Sequence, residues 1–464
     1  MLQDRYETDK IFESILKLTN EMDPVLAEID RLLDDEGLYQ LIRDDLAKRF
    51  PKTEMTGRNS TPVEVILRML AVRRLYRLSY EQTEYQVRDS LVLRQFCRVY
   101  LQDVPDDTTL IRWAGLIRPE TLEGFNHRLI QLATQLKVTR GRKLRTDGTV
   151  VESNIHPPSD SSLLADSVRV IGRTLSRAKQ VLGEQAELGQ EVFRNRIRGA
   201  RRLARQIGEA MRRRSDQAKE EGKAIYRKLI QVTEATIGQA QQVLPVLQEQ
   251  ATRQAQKLAE TLETFIPRAQ QVGAQTIRRV LHQEKVPARE KIVSIFEAHS
   301  DIIQRNKAHK PTEYGHKVWL DEVDGGIVTR WDVLDGNPND DRQWLPSLDH
   351  HIKRFGRAPR QASADRGVHS TYNEYQAQQR GVQHVILPKP GRRSDVRLQH
   401  ERQAWFKRGR RWHNGVEGRI SVLKRCYELN RCRDRGEDGF EKWVGWGVIV
   451  ANLKTIGRKV ATII

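Results

Sequence analysis

The first 135 residues alternate apolar and polar positions with the period of amphipathic helices. Ser60–Glu64 supplies a capping residue, an early proline and a glutamate, and so predicts a helix start. Four apolar side chains then share one helical face: Val63, Ile66, Leu67 and Leu70. Ser79–Gln82 repeats the capping pattern and predicts a second helix start, and Asp106 marks a third predicted helix start. The short helices predict either a helix-turn-helix that enters a DNA groove or a packed helical domain without groove contact.

Near residue 141 the period changes from helical to strand-like, with Lys143–His156 rich in Thr, Val and Ile. A region from about 161 to 310, rich in Gln, Ala, Arg and Glu, then interrupts the sheet pattern. Two runs in it step by three and four residues: Phe193, Ile197, Ala200, Ala204, Ile207 and Met211, then Ile237, Ala240, Leu244, Leu247 and Ala251. They predict an antiparallel, coiled-coil-like helical insertion, in which Pro245 kinks or ends the helix.

Sheet patterning resumes at Tyr314. Two β-rich runs on either side of Asp324-Gly325-Gly326 predict a hairpin. Further strands are predicted at Gln361–Ala364 and His384–Leu387, and helices at Leu345–Phe355, Ser370–Gln379 and Glu417–Arg425. This alternation predicts an α/β fold with a mixed sheet covered by helices. The apolar run Trp443–Leu453 is short and flanked by lysines, so we expect a buried closing helix and no membrane span.

Four segments follow from these patterns. We expect a helical N-terminal DNA-binding domain at 1–135, the first part of the sheet core at 136–160, the helical insertion at 161–310 and the rest of the core at 311–464. A chain of 464 residues is long enough for two to four domains.

The balance of charged residues indicates what kind of molecule the protein binds. Lys and Arg number 80 against 61 Asp and Glu, a formal charge of +19, which predicts a polyanionic partner such as nucleic acid. From Lys389 to Arg425 twelve cations face three acids, as in the wall of a nucleic-acid groove. Nine arginines between Arg194 and Arg214 predict either phosphate contacts or a solvated helix face.

Cysteine usage and the N-terminus bear on location. The three cysteines form no CxxC pair, and Cys426 and Cys432 with His384 and His413 fit no standard zinc-ligand spacing. The first residues lack the basic start and apolar core of a signal peptide. We therefore expect a reducing compartment and a cytoplasmic protein.

Three carboxylates are candidates for metal-dependent phosphoryl transfer. Asp147 lies in the β-rich run Leu144–Val151, although Asp-Gly is also a strong hairpin-turn signal. Asp365 follows a short predicted strand, where α/β sheets place ligands, or else it caps a helix. Glu417 shares a helical face with His413 and Lys424, as a metal ligand or as part of a surface ion-pair ladder. Other acids compete with them: Glu152, Asp160, Asp166, Asp321, Asp324, Asp340 and Asp341.

Taken in order, these motifs resemble bacterial insertion-sequence transposases of the D-D-E class, in particular the ISNCY-like group. The N-terminal helical domain of that class is matched by Arg58–Leu70, Leu78–Gln82 and Val87–Leu91. The first-aspartate block is matched by Thr146–His156 and Ser159–Leu164, the intervening sheet by Gly315–Val318 and Leu334–Asp340, the second-aspartate block by Ala364–Gly367 and the third acidic block by Gly415–Arg425.

The resemblance implies a ribonuclease H-like catalytic core in which Asp147, Asp365 and Glu417 are catalytic and bind two Mg²⁺ ions, with Mn²⁺ as an alternative. It favours the ligand interpretation of Asp147 over the turn. The implied enzyme cuts at the terminal inverted repeats of its own insertion sequence and joins the 3′ ends to target DNA. Pairing of two ends implies a homodimer or a higher assembly, with no membrane partner.

DNA contacts are expected from the basic residues around the third acid. The candidates are Lys389, Arg392, Arg393, Arg410, Arg411, Trp412, His413, Lys424 and Arg425. Trp412 is interpreted either as a base-stacking residue or as a core tryptophan. Related enzymes often carry Tyr and Arg where this chain has Arg410 and His413, and Ser where it has Gly148. A metal-dependent nuclease on the same core and an inactive DNA-binding regulator are the alternatives.

Overall fold

The computed structural model describes residues 2–19, 22–49, 60–183, 189–213, 215–304 and 310–462. The first helices are α1 Lys10–Thr19, α2 Pro24–Leu33, α3 Glu36–Ala47, α4 Val63–Tyr76, α5 Tyr80–Asp89, α6 Leu91–Phe96, α7 Asp107–Leu116 and α8 Pro119–Gln135. They are followed by α9 Asp160–Leu182, α10 Ile197–Arg212, α11 Asp216–Gln248, α12 Arg253–Thr276, α13 Trp344–Phe355, α14 Thr371–Gln379, α15 Asp395–Arg402, α16 Ala404–His413, α17 Gly415–Cys426 and α18 Glu437–Ala461. The strands are β1 Lys143–Glu152, β2 Asp301–Gln304, β3 Thr312–Val323, β4 Ile327–Leu334, β5 Gln361–Ser363 and β6 His384–Ile386.

The strands form one mixed sheet in the order β2-β3-β1-β5-β6, with β4 also paired to β3. The pairs β1–β5 and β5–β6 are parallel, whereas β3–β4 is the antiparallel hairpin predicted around Asp324-Gly325-Gly326. The predicted mixed α/β architecture is therefore confirmed. Strands β1 and β3 are antiparallel. The Lys143 carbonyl, at the start of β1, accepts the N–H of Asp324 just after β3, whereas Gly148, farther along β1, lies beside Lys317 in the middle of β3.

The chain forms two compact units, of which the first comprises Met1–Glu152 and His316–Ile464 and the second Ser153–Gly315. In the first unit, Ser79 forms the predicted capping box with Gln82, and Asp106 caps α7 through the backbone N–H of Thr109. Helix α4 is buried on almost all sides and not on one face alone. Arg58 and Asn59, at the start of the first motif, lie outside the described residues.

The second unit contains four helices, α9 to α12, that pack against one another around two apolar clusters. The first predicted seam is split, since Phe193 lies in a 3₁₀ turn before α10. The break between the seams falls at Ser215, the N-cap of α11, and Pro245 lies inside α11 one turn before its end at Gln248. Of the nine arginines, Arg214 lies outside the described residues.

Helix α18 closes the first unit. Its residues Trp443–Leu453 are buried against α2, α8 and β4, as the apolar run predicts. Asn452 binds both the N–H and the carbonyl of Val328, at 2.9 and 2.8 Å, and so satisfies buried backbone groups of β4. Within the described residues, no helix combines the length and the apolar character that a membrane span requires.

Candidate active site

Asp147 lies inside strand β1, which continues without a turn from Lys143 to Glu152. The alternative that Asp147 and Gly148 form a hairpin turn is therefore wrong. The side chain is half-buried, and its Oδ1 accepts the backbone N–H of Gly148 at 2.7 Å. A Cβ on Gly148 would lie 3.2 Å from Lys317 and 3.3 Å from Trp319, so glycine permits β3 to pack closely beside the acid.

Asp365 follows β5 and begins the 3₁₀ turn Arg366–Val368. Strands β1 and β5 are parallel neighbours in which Arg145 pairs with Ser363. Asp147 and Asp365 each come two residues after that pair, so the register directs them to the same edge of the sheet. The parallel pairing thus brings together two acids that the helical insertion separates in sequence.

His413 is the direct partner of Asp365. Its Nε2 lies 3.2 Å from Asp365 Oδ1, and the ring is buried whereas the Asp365 side chain is 69% exposed. The hydrogen bond from His413 lowers the pKa of Asp365 below its usual value, against the opposing effect of burial. Asp365 is therefore a carboxylate that remains ionised and faces solvent.

The pKa of Asp147 is shifted in the opposite direction to that of Asp365. Burial raises its pKa to about 7, and the negative charges of Asp365 and Asp340 add to this effect, whereas the Gly148 N–H and His413 oppose it. Near neutral pH the Asp147 carboxyl therefore holds a proton about as often as a negative charge. A cation beside these oxygens would remove the cost of ionising both acids.

Asp340 is a third carboxylate near Asp147. Its Oδ1 lies 2.7 Å from Lys317 Nζ and 3.4 Å from the Cβ position of Gly148, and its Oδ2 lies 4.0 Å from that of Gly367. Asp340 therefore lies between Gly148, which follows Asp147, and Gly367, which comes two residues after Asp365. Sequence reasoning included Asp340 among the competing acids, but no local signal distinguishes it from Asp341.

Arg145 connects β1 to the helices that carry the third predicted acid. Its guanidinium binds both oxygens of Glu322 at 2.8 Å and donates to the carbonyl of Trp412, while the Trp412 ring packs 4.8 Å from it. A Cβ on Gly415 would lie 2.4 Å from Arg145 Nη1, so the first residue of α17 must be glycine for this contact. Arg145 therefore holds the junction between α16 and α17, which carries His413.

Glu417 lies in the first turn of α17 and is exposed. It forms no hydrogen bond or ion pair within the part of the chain that the structure describes. In that same part, no set of three His, Cys, Asp or Glu side chains is arranged to hold a metal ion. Asn414 between the helices has helical angles, φ −54° and ψ −23°, so Glu417 lies about one helical turn from His413.

The predicted DNA-contacting residues differ in their surroundings. Arg392, Arg410, Arg411 and Arg425 are exposed, and their side chains have no ion pair among the described residues. Arg393 is held by Glu401 at 3.0 Å, Lys389 donates its backbone N–H to the same carboxylate, and Lys424 is partly buried. Trp412 is half-buried against Arg145 and Lys143, so its ring already packs on cations of β1.

Substitution of Gly415 by Ala tests the junction. The added Cβ must displace Arg145, so we expect a loss of about 1–3 kcal/mol in the free energy of unfolding. Gly418→Ala, three residues later in the same helix, is the matched control because nothing lies within 4 Å of its Cβ position, and it should stabilise the protein by about 0.5–1 kcal/mol. Urea unfolding of both variants measures the difference. Equal effects would show that Arg145 does not fix the junction.

Comparison with known proteins adds one finding. Residues 13–115 match the family model described as Transposase domain (DUF772), a stretch that ends before β1 and the candidate site. No curated protein and no solved structure matches the chain.

Proposed function

We propose that the chain is a D-D-E transposase of the ISNCY-like group, because residues 13–115 match a transposase-domain family model and such a domain implies DNA as the partner. It would cut at the terminal inverted repeats of its insertion sequence and join the 3′ ends to target DNA. The observation that carries this proposal is the proximity of Asp147, on β1, to Asp365, which lies two residues beyond the parallel neighbour β5 and whose charge acts on Asp147.

The order of the strands supports a ribonuclease H-like core. The three strands β4, β3 and β1 are neighbours, and two parallel strands, β5 and β6, extend the sheet on the other side of β1. The first acid lies on the central strand of this arrangement and the second directly after its parallel neighbour. Both would therefore face a nucleic acid that crosses this edge of the sheet.

The acids fit a hard divalent cation. Carboxylate oxygens are the ligands that Mg²⁺ prefers, and the pKa of Asp147 is raised first by burial and then by the negative charge of Asp365, which Mg²⁺ or Mn²⁺ would neutralise. When bound, two such ions would activate a water or a 3′-hydroxyl and stabilise the leaving oxygen. Asp147 and Asp365 would hold these ions, with Glu417 as the third ligand. Asp340 is a further carboxylate close to Asp147.

The remaining residues would position the acids and the DNA. His413 orients Asp365 through the 3.2 Å contact, and Arg145 holds the start of the helix that carries Glu417. The exposed cations Arg392, Arg410, Arg411 and Arg425 would bind backbone phosphates, together with Lys389, Arg393, Lys424 and Trp412. Two DNA ends would be joined by a homodimer or a higher assembly.

The experiment uses the full-length protein with DNA from both flanks of its gene. We expect Mg²⁺-dependent nicking at inverted repeats, and joining of pre-cut 3′ ends to a plasmid. Glu417→Gln should abolish both reactions, whereas Glu437→Gln, an exposed acid in the first turn of α18, should leave both unchanged. Cutting without joining would identify a nuclease, and DNA binding without either reaction would identify a regulator. Full activity of Glu417→Gln would remove Glu417 from the proposed ligands.

A further inference from the structure

A second basic site lies in the first unit, outside the candidate active site. It is a cavity of about 510 Å³ lined by residues of α4, α5, α7, α18 and the segment before α18. Five cations line it: Arg73, Arg74, Arg433, Arg435 and Lys442. The two nearby acids pair with some of them, Asp434 with Arg73 at 3.2 Å and Glu428 with Arg433 at 2.9 Å, so the cavity keeps an excess of positive charge.

The inner wall of the cavity consists of two buried guanidinium groups. Arg73 and Arg74 are 7% and 3% exposed. Arg74 Nη2 donates to the carbonyls of Tyr427 and Trp443, and Arg74 Nη1 lies 3.7 Å from Glu428 Oε2, whereas the Nε atoms of Arg73 and Arg74 have no hydrogen-bond acceptor among the described residues. Burial and the charge of Arg73 lower the pKa of Arg74 to about 10. Because Arg73 and Arg74 line the cavity, their positive charge would stabilise an anion bound there.

Aromatic rings fix the orientation of both groups. The guanidinium of Arg73 lies 3.9 Å from the ring centre of Tyr80, and that of Arg74 lies 3.9 Å from that of Trp443. Stacking occupies the faces of the guanidinium planes and leaves their N–H edges for an oxyanion. Arg435, which is exposed and has no ion pair within the described residues, supplies a further cation at the rim.

We propose that this cavity binds a phosphate group. Guanidinium N–H edges match phosphate oxygens in charge and geometry. Arg435 would bind the outer oxygens, and Lys442, whose Nζ lies 3.4 and 3.3 Å from the carbonyls of Ala114 and Gly115, would add positive charge at the rim. The phosphate could belong to a DNA backbone or to a free anion, since both present the same oxygens. The cavity is not lined by Asp147, Asp365 or Glu417. Failure of phosphate binding there would therefore not bear on the proposed phosphoryl transfer, and the reverse also holds.

The test removes two rim charges and leaves the buried arginines in place, because Arg74→Ala would also break contacts that hold α18. Arg435→Gln with Lys442→Gln is compared with Arg458→Gln with Lys459→Gln. The control pair removes the same charge from exposed positions about 24 Å farther along α18. Inorganic phosphate is titrated calorimetrically against each protein at constant ionic strength with chloride. We expect at least about tenfold weaker phosphate binding in the rim variant and wild-type binding in the control.

Competition identifies the source of the phosphate. If a 20-base-pair duplex displaces phosphate from the wild type, the cavity holds a DNA backbone phosphate, whereas phosphate binding that the duplex does not affect assigns it to a free anion. Either result supports the proposal. Equal phosphate affinity in the two double variants, or no binding to the wild type beyond that of chloride, would overturn it. Arg435→Gln alone repeats the comparison if the double variant unfolds at a lower temperature than the wild type.

Discussion

Asp147→Asn is expected to abolish cleavage while leaving the protein folded. Outer-shell partners of a metal site typically contribute about 10- to 100-fold, so loss of a ligand should cost more than about 100-fold in the cleavage rate. Binding to duplex DNA should remain, because the exposed cations are unchanged. Metal-dependent nicking and fluorescence anisotropy, measured on the same preparation, separate the two effects.

The same substitution should increase stability at alkaline pH. The pKa of Asp147 is raised in the folded protein, so above about pH 7 folding must bury a charged carboxylate beside Asp365, at a cost that declines as the pH falls from about 7 towards the ordinary value of 3.8. Asn carries no charge and avoids this cost. Without Mg²⁺, the free energy of unfolding at pH 8 should therefore be higher for the variant. A lower value at pH 8, together with lost activity, would mean that Asp147 is needed for folding and would undermine its assignment as a ligand.

Arg68→Met is expected to destabilise strongly the segment 13–115, which matches the transposase family model. Arg68 is fully buried in α4 and binds Asp30 at 2.6 Å, Glu64 at 3.1 Å and the carbonyl of Phe96 at 3.1 Å. Removal of one partner leaves buried charge uncompensated, which costs about 3–5 kcal/mol. Arg98 also binds Asp30, at 3.0 Å, so we expect a value near the lower limit.

Urea unfolding is the measurement, with Arg31→Met as the control. Arg31 is 60% exposed and pairs with Glu28 three residues before it in the same helix, and ion pairs of an exposed arginine contribute less than about 1 kcal/mol. Equal losses in the two variants would show that the buried network around Arg68 does not stabilise the domain beyond a surface ion pair.

Features decided by neighbouring residues could be predicted from the sequence. The capping box of Ser79 and the N-cap of Asp106 depend on atoms within one helical turn, and both are confirmed. The hairpin around Gly325 and Gly326 depends on their positive φ angles of 87° and 76°, which Asp-Gly-Gly signals directly. The mixed α/β class follows because the periods of strand and helix alternate along the chain.

Features decided by distant residues could not be predicted from the sequence alone. The Asp147-Gly148 pair has the local signature of a turn, and it is the packing of Trp319 and Lys317 against Gly148 that keeps it in a strand. The position of Glu417 depends on Arg145, which binds the carbonyl of Trp412 far along the chain. The proximity of Asp340 to Asp147 depends likewise on the path of the chain after β4.

The backbone N–H of Ser153 donates to the carbonyl of Tyr314 at 2.9 Å, so the chain leaves β1 and returns to β3 through adjacent residues. The four-helix unit thus takes the place of a hairpin loop between two neighbouring strands. Lengthening such a loop costs little closure entropy and does not shift the register of the strands that it joins. Shortening or enlarging this module should therefore leave the spacing of Asp147 and Asp365 on the sheet unchanged.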